Sequence, residues 1–314
     1  MEVERAGHER TGTAPTAPDS DRRDRILWAI TIYTASFMIF PINDALAKRL
    51  AERYPIAEIG AIRNGVHFLI VCAAACFWQR AGTLRTRRAG LHLLRGAIMA
   101  GTTLFLFGAL RTVSLADVTT LLFVAPLLVV ALSGPLLGER IRFVQWLAVG
   151  AGFVGVAFVF RPVIEVLDWG LPLALGAAVC GALHQLVSRE LSRTDGPLVG
   201  LFYVTLVGTA TLGAIALFDW RTLTFEDCAV MTGMGFIAAG GYFGVFKAIE
   251  LASPARLAPF YYLQIVTAIA LGYAMFDDVP DRWTILGLAV IVGAGLMCLG
   301  VERAKRGASP ARTR

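Results

Sequence analysis

The chain has 314 residues, of which 56% are hydrophobic and 17% charged, with a mean hydropathy of +0.65. A soluble domain carries about 25% charged residues, and the deficit here runs along the whole chain, which excludes a globular domain held by one anchor. The net charge of +6 is accounted for by membrane orientation, worked out below, so no nucleic-acid partner is expected.

Residues 1–25 are polar, rich in Arg, Asp, Thr and Pro, and lack an apolar core; they read as a disordered tail and not as a signal peptide. Ten apolar runs follow, at about Ile26–Ala47, Ala57–Trp78, Leu91–Leu110, Asp117–Leu137, Phe143–Phe160, Trp169–Ser188, Pro197–Phe218, Cys228–Ile249, Leu257–Phe276 and Trp283–Gly300. Each is roughly 18–22 residues, the length that crosses a ~30 Å hydrocarbon core as a helix. The connections are short, and residues 301–314 form a basic tail. The five cysteines are scattered, four of them inside apolar runs and Cys228 at the start of one, with no zinc or redox spacing, and read as small packing residues. No metal, cofactor or ATP-binding motif is present, so the energy for any transport comes from a gradient or the transport is passive.

Orientation follows from Lys and Arg in the loops. With the N-terminus inside, the inner segments carry 20 of these residues and the outer segments 7, leaving Arg63 and Arg95 within spans. Both termini are therefore expected in the cytoplasm, in a multi-pass protein of the cytoplasmic membrane whose partners are the lipid bilayer and a small-molecule substrate. Monomer and homodimer both remain open.

Internal repetition decides the architecture. The stretch from Ala109 to Val159 recurs from Ala248 onward: a shift of 139 positions carries Ala109 onto Ala248, Ser114 onto Ser253, Ala116 onto Ala255 and Glu139 onto Asp278. Each copy reads as a Ser/Ala-rich entry, an apolar helix, an acidic turn and a Gly-rich helix, the mark of a duplication. Ten spans then divide into five and five, residues 26–160 and 161–300. Because five is odd, the second half enters the membrane from the opposite side. The expected fold is an all-α integral membrane protein of ten transmembrane helices arranged as two inverted five-helix repeats, with a substrate site near the midplane between them.

The first hairpin resembles the signature of the drug/metabolite transporter superfamily, of the EamA type. The residues that carry the resemblance are Ala109-Leu110, then Ser114, Ala116 and Asp117, then Pro126 in mid-helix, Gly138-Glu139 at the turn, and Gly150, Gly152 and Gly155. The resemblance implies a ten-helix carrier with a central cavity; members move amino acids, nucleotide-related metabolites, vitamins, polyamines or toxic compounds. The second hairpin departs from the pattern, with Asp277-Asp278 where Gly-Glu is usual. The arrangement Asp44, Lys48, Pro55, Glu58 and Arg63 is similar to a subgroup that includes S-adenosylmethionine and riboflavin carriers. It ranks a vitamin or nucleoside-like metabolite first as substrate, with an amino acid or a drug as the alternative. An enzyme is not expected: no metal-binding cluster and no Gly-x-Ser-x-Gly occur. A channel is disfavoured by the duplicated halves.

Charge within a bilayer costs roughly 2.5–3.5 kcal/mol on insertion scales, so intramembrane ionisable groups are the candidate site. Asp44 and Arg63 lie at similar depth on neighbouring antiparallel spans, where they read either as an outer gate or substrate contact or as a structural pair. His67 follows Arg63 by one helical turn and reads as cavity-lining or as packing. A shift of 140 or 141 carries Asn43, Asp44 and Arg63 to His184, Gln185 and Tyr203, suggesting an inner gate related to the outer one. Tyr242, Tyr262 and Gln264 belong to an aromatic cluster suited to a planar or zwitterionic solute, or to an interfacial belt. Protons are a candidate coupling ion, with Asp44 the first candidate carrier. Glu139 and Asp278 read as turn-stabilising, and Gly150-Ala-Gly152 and Gly293-Ala-Gly295 as helix-packing positions.

Overall fold

The computed structural model describes residues 19–78, 84, 86–138, 141–160 and 169–307. Every regular element among them is helical, and ten segments are long and apolar enough to cross a membrane. They are built from α1 (Asp19–Ala51), α2 (Ile56–Trp78), α3 (Ala89–Ala109), α4 (Leu115–Leu122) with α5 (Ala125–Leu137), α6 (Phe143–Phe160), α7 (Gly170–Leu191), α8 (Pro197–Ala216), α9 (Phe225–Leu251), α10 (Pro254–Leu257) with α11 (Gln264–Phe276), and α12 (Arg282–Gly307). Helix α1 begins at Asp19, ahead of the expected Ile26, and α12 runs on to Gly307. The expectations for residues 1–18, Glu139 and 308–314 fall outside the described residues.

Two spans differ from the continuous helices read from hydropathy. The fourth breaks at Phe123–Val124 between α4 and α5. Pro126 has no N–H to offer Leu122 and its ring crowds that carbonyl, so the chain tightens: Phe123 and Val124 bond three residues back, to Thr120 and Leu121, at 3.2 and 3.0 Å. The ninth span is α10, a 3₁₀ stretch Ala258–Leu263 that holds Pro259, and then α11. Irregular backbone at membrane depth is tolerated only inside protein, and the two breaks are buried on one another. Phe123 is fully buried, and its ring meets Tyr261 and Tyr262 edge-on at 5.4 and 5.1 Å. The 139-residue shift that relates the two hairpins places Tyr262 on Phe123.

The helix contacts repeat under exchange of the first five spans with the last five. Helix α3 packs on α7 as α9 packs on α1; α3 on α8 as α9 on α2; α5 on α7 as α11 on α1. The pairs α2–α8, α4–α11 and α6–α12 map onto themselves. Even the two turns correspond: α5 ends at Gly138 with φ 69°, and α11 ends at Asp277 with φ 53°. Asp277 thus fills the left-handed cap where glycine is normally used. Its neighbour Asp278 bonds Lys48 of α1 at 2.5 Å.

Helices α6 and α12 cross with backbone against backbone. A Cβ on Gly155 would lie 2.7 Å from Ile291 and 2.9 Å from the Gly287 carbonyl, and one on Gly287 would lie 2.7 Å from the Gly155 carbonyl. Of the glycines expected to pack, Gly152 receives Leu127 and Gly295 receives the Tyr262 ring. Gly150 and Gly293 meet nothing within 4 Å, which corrects that expectation: in a Gly-Ala-Gly triplet the two glycines point about 200° apart, so only one can face a neighbour. Gly155→Ala should lower stability by about 1–3 kcal/mol through overpacking, read as a lower Tm of the purified protein, whereas Gly150→Ala should leave Tm unchanged or raise it. Asp277→Gly should stabilise by about 1 kcal/mol by relieving the left-handed cap.

Candidate functional site

The middle of the bundle holds a polar group drawn from both halves. Asp44 of α1, Arg63 and His67 of α2 and Arg95 of α3 come from the first; His184 of α7, Tyr242 of α9, Tyr261 of the 3₁₀ stretch and Gln264 of α11 come from the second. Tyr242 is the hub. It stacks on His67 at 5.5 Å and packs on Phe40 at 5.3 Å, and it lies in the electrostatic reach of Arg63, Arg95 and Asp44. Tyr261 lies near Gln264 and within the electrostatic influence of Asp44.

Asp44 and Arg63 act on each other electrostatically but do not form the expected contact pair. The Arg63 guanidinium donates instead to Thr103 Oγ1 at 3.2 Å and lies 5.0 Å over the buried Phe107 ring. Thr103 in turn donates to the Met99 carbonyl at 3.2 Å, so it is free to accept. Asn43, next to Asp44, is buried and donates to the Met234 carbonyl at 3.2 Å.

Of His184, Gln185 and Tyr203, His184 lies in the electrostatic reach of Arg95, and Tyr203 stacks on His92 at 4.9 Å, one turn before Arg95 on α3. Gln185 is exposed, although it shares a helix face with buried Ala178 and Ala182. Tyr262 is buried with its hydroxyl pressed on Gly295 and without a hydrogen-bond partner, and its ring meets Tyr261 at 5.6 Å. Arg95 was visible in the sequence as a second arginine inside a span; what was missing was a partner to point it toward the site.

The two ends of the bundle are tied differently. At the end away from the termini, Tyr54 donates to Asp227 at 2.9 Å, Arg221 N–H to Glu58 at 3.1 Å, and Thr284 to Asp117. Asp117 also closes the N-terminal turn of α4, its N–H bonded to Ser114 at 3.1 Å. Beside these contacts lies a cavity of about 360 Å³ lined by Lys48, Glu52, Arg53, Arg111 and Arg221. At the other end, Arg88 pairs with Glu190 and His92 with Asp195, both at 3.0 Å. The His92 bond, with help from Thr86, holds the Asp195 carboxyl below its ordinary range. In α2 every residue from Ala57 to Ala61 is buried, and beyond Arg63 the buried ones among the described residues are His67, Val71 and Ala75; α8 mirrors this, with Val199, Gly200 and Leu201 buried at its terminal-side end.

Ten crossings around an interior polar cluster, broken helices at its centre and two matching halves define a multi-pass membrane transporter. The chain matches the EamA-like transporter family over residues 26–161 and 168–300, and it belongs to that family. It is 24% identical over 285 residues, 90% of this chain and 96% of the relative, to the S-adenosylmethionine uptake transporter of Rickettsia prowazekii. It is 25% identical to the riboflavin transporter of Vibrio cholerae over 85% of this chain and 89% of that one. The pseudopaline exporter of Pseudomonas aeruginosa is 28% identical, with 87% and 95% covered. A solved crystal structure superposes with a TM-score of 0.60 at 18% identity, covering 90% of this chain and 99% of that one, which shows the fold. The chain is thus a membrane transporter and not an enzyme.

Tyr262→Phe should remove a buried hydroxyl that bonds nothing and leave solute binding unchanged, with Tm equal or higher. Tyr261→Phe should remove a hydroxyl of the polar cluster and weaken binding several-fold. A thermal-shift titration on both variants checks this.

Proposed function

We propose that this protein is a secondary carrier of the cytoplasmic membrane that moves a small organic metabolite by alternating access between two inverted halves, residues 26–160 and 161–300, with both termini in the cytoplasm. The observation that carries the reading is the interior cluster itself: polar side chains from both halves meet where the two broken helices cross. Broken helices at a repeat interface are the usual surroundings of a carrier's substrate site. The exchange-related helix contacts support two arrangements of similar energy. The hydrogen bonds that tie Tyr54 to Asp227, Arg221 to Glu58 and Thr284 to Asp117 support a conformation closed at the end away from the termini.

A heterocyclic metabolite bearing polar groups suits the cluster, since Tyr242, Tyr261 and Phe40 offer ring faces and Gln264, His67 and His184 offer hydrogen bonds. The names of the relatives, an S-adenosylmethionine and a riboflavin transporter among them, support such a substrate. Asp44 is the carboxylate we assign to proton coupling.

The test uses two reporters in a background with the native cysteines replaced. A cysteine at Glu52 samples the cavity at the closed end, and one at Gln185 samples the opposite mouth. A transported solute shifts a two-state equilibrium through its differential affinity, so the two reactivities should change in opposite directions. Parallel changes would overturn alternating access. A C-terminal reporter fusion that reads as exported would overturn the assigned orientation.

A further inference from the structure

We infer that the carried solute is an organic anion and that Arg63 and Arg95 are two successive stations for its acidic group. This rests on the carrier reading above and narrows it.

A structural arginine inside an apolar bundle is ordinarily neutralised by a carboxylate. Among the described residues, no carboxylate lies within 4.0 Å of either guanidinium. Arg63 is held by neutral partners, the Thr103 hydroxyl and the Phe107 ring, and its buried Nε bonds nothing. Arg95 is likewise buried at Nε without a partner. Its guanidinium lies against Gly200 of α8, where a Cβ would stand 2.8 Å from Nη1; the missing side chain is the room the guanidinium occupies. Among the described residues, Asp44 is the one carboxylate acting on the cluster, so two positive charges face one acid.

Their depths differ. Arg63 reaches Thr103, and Arg95 lies eight residues before Thr103 on the same helix, about 12 Å along its axis. Both remain within reach of the Tyr242 hydroxyl. The cavity at the far end also holds arginines: Arg111 donates to the Tyr54 carbonyl at 3.2 Å and Arg221 to the Arg53 carbonyl at 2.7 Å, while Lys48 there is paired with Asp278, Arg53 faces Asp227 at 3.9 Å, and Glu52 lines the wall. The guanidinium fork fits the oxygens of a carboxylate or a phosphate ester alike, and that oxyanion is the chemistry we assign.

The experiment compares paired probes on purified full-length protein: tryptophan against tryptophan amide, adenosine 5′-monophosphate against adenosine, with benzoate, inorganic phosphate and sulfate as bare oxyanions. Thermal-shift titration reads binding, and counterflow in phosphatidylcholine proteoliposomes reads transport. We expect the acidic member of at least one pair to bind tenfold or more tightly than its neutral partner. Which pair responds separates carboxylate from phosphate. Arg63→Gln and Arg95→Gln should each remove that preference, and Arg63→Lys and Arg95→Lys should restore part of it. Both Gln variants should keep or raise the Tm without solute, because no ion pair is lost; a drop in both would mark the arginines as structural and overturn the proposal. Equal binding of neutral and acidic probes, or no effect of any oxyanion on the wild-type chain, would also overturn it. Saturable counterflow of neutral solutes alone would leave the carrier reading standing and the anion reading refuted; tight anion binding with no counterflow would do the reverse.

Discussion

Charge in a medium of low dielectric is the constraint to which the centre of this bundle answers. Two arginines and one aspartate sit where each would cost several kcal/mol if left alone. The surroundings are fitted to them. Thr103 spends its proton on the Met99 carbonyl so that its lone pairs can accept from Arg63. Phe107 offers a ring face, and Gly200 leaves out a side chain. A globular protein would resolve the same cost with an ion pair. Here Asp44 stays out of contact with Arg63, and the charges remain available to something that enters from outside.

The second requirement is that backbone never meet lipid unpaired. Both interrupted spans satisfy it by placing their breaks against each other, with Phe123, Tyr261 and Tyr262 closing the gap. The rest of the packing follows the same exchange of halves, down to the left-handed caps at Gly138 and Asp277. Away from the centre, α6 and α12 meet through Gly155 and Gly287. In lipid, apolar side chains gain little by leaving the solvent, so close backbone approach supplies the contact instead.

The ten crossings were legible because length and hydropathy alone define them, and the duplication because Ser114, Ala116 and Glu139 recur at one interval. The break in the fourth span was not, although Pro126 stood in plain view: hydropathy is the same whether a helix is continuous or broken. Depth could be counted along a span, which brought Asp44 and Arg63 to one level; azimuth could not, and it is azimuth that turns Arg63 toward Thr103. Which of Tyr261 and Tyr262 turns toward Asp44 was not legible for a related reason. Adjacent residues point about 100° apart on an α-helix but about 120° apart on a 3₁₀ turn, so which ring faces the cluster depends on a local winding that Pro259 and its neighbours impose. Arg95 needed no structure to be seen, only a reason to be counted.

The interrupted fourth span has a consequence for biogenesis. When α4 and α5 enter the membrane, their break has no cover, because the rings that close it lie 139 residues further along. At roughly 5–20 residues per second of synthesis, on the order of ten to thirty seconds pass before Tyr262 leaves the ribosome. During that interval the irregular turn of the fourth span lacks the rings that cover it in the finished bundle. It must be sheltered by the insertion machinery or by its own temporary packing, and it becomes self-sufficient only when its counterpart arrives from the opposite face.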